Sequence, residues 1–290
     1  MTLPQHPIEP AEQRALDLLH QLIALDTSPS GNASGRCVAL LSDQLHGAGF
    51  SVELQGDPQA PVLVARRAGE GAGLVVLYNH YDVEEPQSWT VPAWKITQHA
   101  GRLFGCGIAD NKASLAVRLS VLASVRDTPS LLWILQGEEE SGSAGLRACM
   151  PKLAHEGREA LLWLDENGYF EADTEQALGA QRLLLCLVDA DGKLNAPPDP
   201  ALWDLSQRLD EDARALGRRA SLHARGLNKS FVPGGCAFQA NLPRGARYAA
   251  LGLNDPSSNI HRPDESIPAW GIQAHARQLR TLLRWASQQR

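Results

Sequence analysis

The feature that most constrains the fold is a series of short, continuous apolar runs separated by segments with helical periodicity. The runs are rich in Val and Leu and do not alternate with polar residues, which is typical of strands buried on both faces of a sheet. Such strands need helices on both faces, so the chain is predicted to be α/β with a central, mostly parallel mixed sheet. The predicted strands are residues 50–54, 62–66, 74–78, 131–135, 161–164, 183–188 and 248–253.

The segments between these runs carry apolar residues at the three- and four-residue spacing of an amphipathic helix. A chain of 290 residues agrees with one large domain or two small ones. The Gly-rich and Pro-rich stretches are short loops, and no internal repeat is present, so one domain over residues 1–290 is expected. The predicted helices are residues 11–25, 36–47, 112–125, 145–153, 199–216 and 268–286.

Charge and cysteine content argue against several classes of protein. Lys and Arg number 27 against 33 Asp and Glu, and no basic stripe for nucleic acid is present. No apolar run approaches the roughly 20 residues of a membrane helix, and the amino terminus lacks a secretory signal pattern. The five cysteines are widely spaced without a C-x-x-C motif, which argues against disulfides. We therefore expect a cytoplasmic protein without a nucleic-acid or membrane partner.

Polar residues gather where the predicted strands stop. In open α/β sheets, ligands bind beyond the carboxyl ends of the strands, so these residues could meet at one site. Four of these stretches come after predicted strands: NHYD after residues 74–78, QGEEE after 131–135, DEN after 161–164, and NIH shortly after 248–253. The fifth, GCGIAD, precedes the predicted helix 112–125.

Histidines and carboxylates dominate these strand ends, and cysteines do not. Imidazole and carboxylate ligands suit zinc, and a bridging carboxylate suits two zinc ions about 3.5–4 Å apart. Crowded carboxylates repel one another unless a cation is present. Each group also has an ordinary interpretation: a solvated turn for residues 138–140, a helix cap or Asx turn for Asp165, and a loop residue for His261. One metal site would account for all of them together.

Three stretches in order carry a resemblance to a known family. The family pattern is roughly GHxDVVP, then a Trp, then GRGxxDxKG, then EExGS. The matching stretches in this chain are NHYDVEEPQSWTVPAW, GRLFGCGIADNKAS and QGEEESGS. The resemblance as a whole extends over about residues 8–172 and 230–287. This is the di-zinc metallopeptidase and deacylase family of carnosine-type dipeptidases, bacterial glutamate carboxypeptidase, acetylornithine deacetylase and succinyl-diaminopimelate desuccinylase. The EEESGSAGL stretch looks closest to the dipeptidase branch.

The resemblance implies a metal centre with five protein ligands. His80 and Asp165 would bind one metal ion, and Glu140 and His261 would bind the other. Asp110 would bridge the two ions. The implied cofactor is two zinc ions, with cobalt or manganese as possible substitutes.

The resemblance also implies two residues that act beside the metal ligands. Glu139 would be the general base, and Asp82 would orient His80. By analogy, the Asp110–Asn111 peptide bond is expected to be cis, which is rare before residues other than proline.

Most relatives carry an inserted lid domain that mediates dimerisation and supplies an oxyanion His and contacts for the substrate carboxylate. Here the predicted elements 183–188, 199–216 and 248–253 fill most of the interval between Asp165 and His261. The resemblance therefore implies a single catalytic domain whose lid, expected near residues 190–200, is deleted. A monomer or an unfamiliar oligomer is expected.

Substrate contacts have no matching motif, so they are predicted from position only. Backbone N–H groups of Gly234 and Gly235 could hold a carboxylate, and Asn228 and Asn259 are possible polar contacts. Further substitutes for the missing lid residues are His223, Arg225, Lys229 and Arg262.

The expected activity is hydrolysis of the amide bond of a small peptide or N-acyl amino acid by metal-activated water. Three alternatives stay open: an N-acyl amino acid deacetylase of amino-acid metabolism, an activity like that of single-domain aminopeptidases, and a catalytically silent zinc-binding homologue. The sequence does not decide which end of a substrate would be cleaved.

Overall fold

The computed structural model describes residues 9–71, 73–166, 168–174, 177–195, 199–222 and 237–289. These residues form seven helices and thirteen strands. The helices are α1 Pro10–Ile23, α2 Ser34–Gly47, α3 Ala113–Ser124, α4 Ala144–Glu156, α5 Pro200–Ala215, α6 Ala237–Ala240 and α7 Gly271–Ser287. The strands are β1 Ser51–Gln55, β2 Val62–Arg67, β3 Leu74–His80, β4 Thr97–His99, β5 Arg102–Phe104, β6 Ser130–Gln136, β7 Leu162–Asp165, β8 Tyr169–Phe170, β9 Gln181–Val188, β10 Leu194–Asn195, β11 Ala220–Leu222, β12 Arg247–Ala250 and β13 Ser266–Pro268.

The main sheet has the strand order β1-β2-β6-β3-β7-β12-β9-β10, and β8 and β11 also pair with β9. The four central strands β6, β3, β7 and β12 are parallel, whereas the pairs β1–β2, β2–β6 and β12–β9 are antiparallel. The predicted α/β class with a central, mostly parallel mixed sheet is confirmed. Because the central strands are parallel, their carboxyl ends lie along one edge of the sheet.

Apolar side chains cover both faces of the sheet. One layer contains buried residues of α1, α2, α3, α5 and α7, and the other contains residues of α4 and α6. On β7, Trp163 belongs to the layer of α4 and α6, and the next residue, Leu164, belongs to the opposite layer. This alternation follows from the two-residue period of a strand.

Local sequence explains why several elements begin where they do. Asp199 caps α5, because its Oδ1 atom accepts hydrogen bonds from the N–H groups of Ala201 at 2.8 Å and Leu202 at 3.2 Å. The predicted helix 268–286 begins later, at Gly271, because residues 266–268 pair as β13. Six strands of two or three residues are not predicted by the sequence, since they contain no apolar run: β4, β5, β8, β10, β11 and β13.

A second, smaller sheet has the antiparallel order β13-β5-β4. β5 ends shortly before an irregular turn, Ile108–Lys112, and β13 begins shortly after His261. The small sheet therefore brings two segments together that are far apart in sequence.

The described residues between β9 and α5 are a tight turn and the short strand β10. In that turn, the Asp189 carboxylate accepts the N–H groups of Asp191 at 2.9 Å and Lys193 at 2.8 Å. β10 then pairs with β9. Over the helices that the structure describes, none is both long and apolar enough to cross a bilayer.

Candidate active site

The side chains predicted from the strand ends meet at one edge of the main sheet. His80 is the last residue of β3, and Glu139 and Glu140 follow β6. Asp110 lies in the turn Ile108–Lys112, and His261 lies in the loop between β12 and β13. The Asp110–Asn111 peptide bond is cis, as expected. The positions follow from the parallel topology, because the carboxyl ends of β3, β6 and β7 are neighbours.

The first group of donor atoms surrounds the buried ring of His80. Its Nε2 atom lies 3.1 Å from Asp110 Oδ1 and 3.8 Å from Glu166 Oε1. On the other side of the ring, Nδ1 lies 3.3 Å from Asp82 Oδ1 and 3.1 Å from the Asp82 carbonyl oxygen. Asp82 therefore contacts the nitrogen that faces away from the cluster, which is the position of a residue that orients the ring.

The second group surrounds His261. Its Nε2 atom lies 2.9 Å from Glu140 Oε1 and 3.6 Å from Asp110 Oδ2. Glu84 is close to the same two side chains, and donor atoms of Glu84, Glu140 and His261 lie within 4.8 Å of one another. Asp110 thus presents Oδ1 to the His80 group and Oδ2 to the His261 group.

Glu139 lies between the two groups. One donor atom each of His80, Glu139 and Glu140 lie within 4.8 Å of one another. Burial raises the pKa of the Glu139 carboxyl, His80 lowers it, and the neighbouring carboxylates of Glu140 and Asp110 raise it further, so that it stays above its ordinary value. A carboxyl with a raised pKa in this position can accept a proton and release it again.

The pKa values of His80 and His261 are both raised, because carboxylates outnumber histidines at the site. Burial lowers the pKa of His80, but Glu166, Asp110 and Asp82 outweigh it and hold the pKa well above its usual value. The hydrogen bond to Glu140 raises the pKa of His261 to about 9. The carboxylates outnumber the histidines, so the cluster as a whole attracts positive charge. This donor set, without thiolates, fits zinc or a similar divalent cation.

Asp165 is not among the donor atoms of either group, and the sequence prediction for this position is corrected, because Glu166 lies there instead. Oδ1 of Asp165 accepts the Glu166 N–H at 2.8 Å. Oδ2 accepts Gln239 Nε2 at 2.7 Å and the Tyr248 hydroxyl at 2.5 Å. The physical reason is that Asp165 lies two residues beyond Trp163 and takes the same face of β7, where Gln239 and Tyr248 occupy its carboxylate. Glu166 directly follows β7, and its Oε1 atom lies 3.8 Å from His80 Nε2.

Arg118, which the sequence does not single out, lies fully buried beneath the site. Its Nη1 donates to the Tyr78 carbonyl oxygen at 2.8 Å and to Asn79 Oδ1 at 2.9 Å. Its Nη2 donates to the carbonyl oxygens of Asp165 at 2.6 Å and Leu251 at 3.1 Å. One guanidinium thus fixes the residues that directly precede His80 and Glu166.

Asn79 extends this network to the turn that carries Asp110. Its Nδ2 donates to Asn111 Oδ1 at 2.7 Å, while its Oδ1 accepts from Trp133 Nε1 at 3.1 Å and from Arg118. The neighbours of His80 and Asp110 are therefore hydrogen-bonded to each other. These contacts fix the segments that carry the donor atoms of the first group.

Glu265 is a second residue that sequence reasoning missed. Its buried carboxylate accepts the N–H groups of Gly107 at 2.8 Å, Ala109 at 2.7 Å and Asp110 at 3.0 Å. Burial raises the pKa of Glu265 to about 8, although these N–H groups oppose the effect. Glu265 follows His261 in the same loop, so it ties the His261 loop to the Asp110 turn. An acidic residue four positions after the predicted ligand His261 is the only sequence signal for it.

Most of the predicted substrate contacts cannot be placed. Asn228, Gly234 and Gly235 lie outside the described residues, as do His223, Arg225 and Lys229. Asn259 is exposed with φ of 52°, and its carbonyl oxygen accepts the Arg262 N–H at 2.9 Å. This turn carries His261, whose φ is 58°. Asn259 therefore shapes the loop of a candidate ligand, and Arg262 is an exposed residue of the same loop.

Two cavities flank the donor groups. A cavity of about 510 Å³ is lined in part by Asp82, Glu138 and Glu140. A cavity of about 300 Å³ is lined in part by Glu84 and His261. Both are large enough for a small organic group, so a small substrate could reach the donor atoms from either side.

Comparisons with known proteins show the family of this chain. The model of peptidase family M20/M25/M40 matches residues 76–286. The succinyl-diaminopimelate desuccinylase of Delftia acidovorans (strain DSM 14801 / SPH-1) is 31% identical over 164 residues, which are 52% of this chain and 42% of that protein. The chain thus spans less than half the length of this curated relative.

Solved structures show the same fold at low sequence identity. An M20 family metallo-carboxypeptidase from Sulfolobus solfataricus aligns with a TM-score of 0.73 at 13% identity, over 94% of this chain and 99% of that one. Human carnosine dipeptidase 1 aligns with a TM-score of 0.69 at 12% identity, over 96% of this chain and 97% of that one. The family model covers β3 through α7 and with them all the donor residues described above, so the chain belongs to peptidase family M20/M25/M40.

Proposed function

We propose that this chain is a two-zinc hydrolase that cleaves the amide bond of a small peptide or N-acyl amino acid. The observation that carries the proposal is the position of Asp110, whose two carboxylate oxygens face two separate groups of His and Glu side chains. A carboxylate shared in this way is suited to two ions a few ångströms apart.

The proposed ligands follow from the two groups of donor atoms. His80, Glu166 and Asp110 would hold the first zinc ion, and His261, Glu140 and Asp110 the second. Cobalt or manganese could substitute, because imidazole and carboxylate accept these ions too. Ions held by these residues would supply Lewis-acid chemistry, which lowers the pKa of a nearby water molecule and polarises a carbonyl group.

Glu139 is the proposed general base. It lies next to both groups, and its raised pKa suits a carboxylate that takes a proton from water and then gives it to the leaving amine. Asp82 would keep the His80 ring oriented through Nδ1. Both roles depend on side chains that are already in place in this structure.

We also propose that the chain is a single catalytic domain without a lid, and that it is monomeric. The support is the direct path from β9 through a tight turn to β10, which stays in the same sheet. Light scattering of the purified protein would test the oligomeric state.

A reducing, cytoplasmic location is proposed because four cysteines are free thiols: Cys37, Cys106, Cys149 and Cys186.

A second candidate is hydrolysis of an N-acyl group from an amino acid. The 31% identity to a succinyl-diaminopimelate desuccinylase favours this substrate class, since that protein removes a succinyl group by name. The peptide and N-acyl candidates share the same metal centre and base, and they differ in the group that occupies the flanking cavities.

The decisive experiment is hydrolysis of a panel of dipeptides, aminoacyl anilides and N-acyl amino acids by the zinc-loaded protein. Glu139→Ala is the matched blank, and we expect it to lower kcat by a factor of about 10²–10⁴ with zinc still bound. The best substrate would separate a dipeptidase, an aminopeptidase-like enzyme and a deacylase. Two bound zinc ions without turnover of any panel member would contradict the proposal and favour a catalytically silent homologue.

A further inference from the structure

The His261 group contains one carboxylate more than the five-ligand centre requires. Glu84 brings a carboxylate oxygen to within 4.8 Å of donor atoms of both Glu140 and His261. Glu84 is exposed and lines the same cavity as His261. The His80 group has no corresponding exposed carboxylate, because its Glu166 is buried and its Asp110 is only partly exposed.

The backbone of Glu84 is fixed by its two neighbours. Val83 is buried, and its N–H donates to the Thr27 carbonyl oxygen at 3.4 Å. The Glu85 carboxylate accepts the Ser30 hydroxyl at 2.7 Å and the Ser30 N–H at 3.2 Å. Both flanking residues are hydrogen-bonded to the loop that follows α1. These contacts fix the backbone on either side of Glu84 and keep Glu84 beside His261.

Glu84 and Glu85 are adjacent, exposed and identical in charge, yet they face different partners. Glu85 is hydrogen-bonded to Ser30, whereas Glu84 points its carboxylate toward His261 and Glu140. A long-range effect of negative charge would be felt from both residues, whereas of the two only Glu84 lies within reach of the His261 group.

We propose that Glu84 is an additional protein ligand of the second metal ion, a proposal that rests on the two-zinc function above. The second position would then have carboxylate oxygens from Asp110, Glu140 and Glu84 and one nitrogen from His261. The first position would have His80, Asp110 and Glu166. An extra carboxylate adds one oxygen donor and one negative charge, and both strengthen the binding of a divalent cation.

Titration of the metal-free protein with Zn²⁺ in a calibrated chelator buffer, followed by calorimetry, tests this proposal. The variants are Glu84→Gln and the matched control Glu85→Gln. In Glu84→Gln, we expect the first equivalent of zinc to bind as in the parent and the second to bind at least about tenfold more weakly. A direct ligand should contribute no less than the 10–100-fold typical of residues that only support ligands. Glu85→Gln should match the parent at both equivalents.

The possible outcomes separate this proposal from the proposed function. If the parent binds two zinc ions and Glu84→Gln binds the second with unchanged affinity, Glu84 is not a ligand and the two-zinc centre stands. If Glu85→Gln weakens the second equivalent as much as Glu84→Gln does, the effect is general electrostatics and the ligand role is overturned. If the parent binds fewer than two zinc ions, the two-zinc centre itself is wrong, and Glu84 has no second ion to bind.

Discussion

The His80 group and the His261 group have similar donors but are built in opposite ways. The His80 side chain is 1% exposed, ends a central strand and rests on the buried network of Arg118 and Asn79. The His261 side chain is 46% exposed and lies in a loop with positive φ. The first group is therefore part of the core, whereas the second depends on a loop that Glu265 holds against the Asp110 turn. Chemical similarity of two half-sites does not imply that they are equally stable.

Removing each histidine in turn should give the largest contrast. His80→Ala leaves buried carboxylates without their partner, so we expect it to lower the free energy of unfolding of the metal-free protein by about 3–5 kcal/mol. His261→Ala breaks a half-exposed pair, and we expect a loss below about 1 kcal/mol. Urea unfolding measures both. Equal losses would mean that the two groups do not differ in the way their burial indicates.

Glu265→Gln tests whether the second group depends on its tie to the Asp110 turn. The substitution leaves one oxygen for three N–H groups and sets a side-chain NH2 group against a backbone N–H donor, so we expect the free energy of unfolding to fall by about 2 kcal/mol. Zinc affinity should fall by about tenfold. The control is Asp264→Asn, whose carboxylate binds Thr90 and Val91 and not the Asp110 turn. Loss of zinc affinity in the control alone would contradict the assigned role of Glu265.

Among the residues that the structure describes, no carboxylate contacts the buried imidazole of His275, so this residue sharpens the contrast with His80. Burial and the nearby Arg118 hold the pKa of His275 well below 6.5. The unfolded chain therefore takes up a proton as the pH falls below about 6.5, while the folded chain does not. The stabilising contribution is complete above that pH and is lost below it, by at most about 1.4 kcal/mol per pH unit. Urea midpoints of the parent and His275→Gln over this range would show whether the slope belongs to His275.

Asn259→Gly should have the smallest effect. Glycine adopts the φ of 52° without strain, so the His261 loop should keep its shape, and the free energy of unfolding should change by less than about 0.5 kcal/mol. If the Asn259 side chain also binds substrate, KM rises while kcat and the zinc stoichiometry stay unchanged. An unchanged KM would remove Asn259 from the substrate site and leave it only a role in the loop.

Sequence patterns predict the central strands of the main sheet better than the short strands and loops between them. The apolar runs predict the central strands, since a strand buried on both faces has no other composition available to it. Strands such as β5 and β13 contain three residues and no such run, so they are not predicted. They matter nonetheless, because they bring the Asp110 turn and the His261 loop together.

The same limit applies to the site residues. The resemblance and the strand ends point to His80, Asp110, Glu139, Glu140 and His261, which the structure brings together. The choice between Asp165 and Glu166 depends on which face each side chain takes, and one residue of register decides it. Arg118 and Glu265 bind mainly backbone groups of distant segments, and such partners leave no side-chain pattern in a sequence.

The contact between Glu265 and Asp110 also has a consequence for the order in which the site is made. During synthesis from the amino terminus, Asp110 emerges 155 residues before the carboxylate that accepts its N–H group. His80, Asp110 and Glu166 are all available to a nascent chain long before His261. The donors of the proposed first ion are therefore synthesised before those of the proposed second ion, which are complete only once the loop between β12 and β13 has been translated.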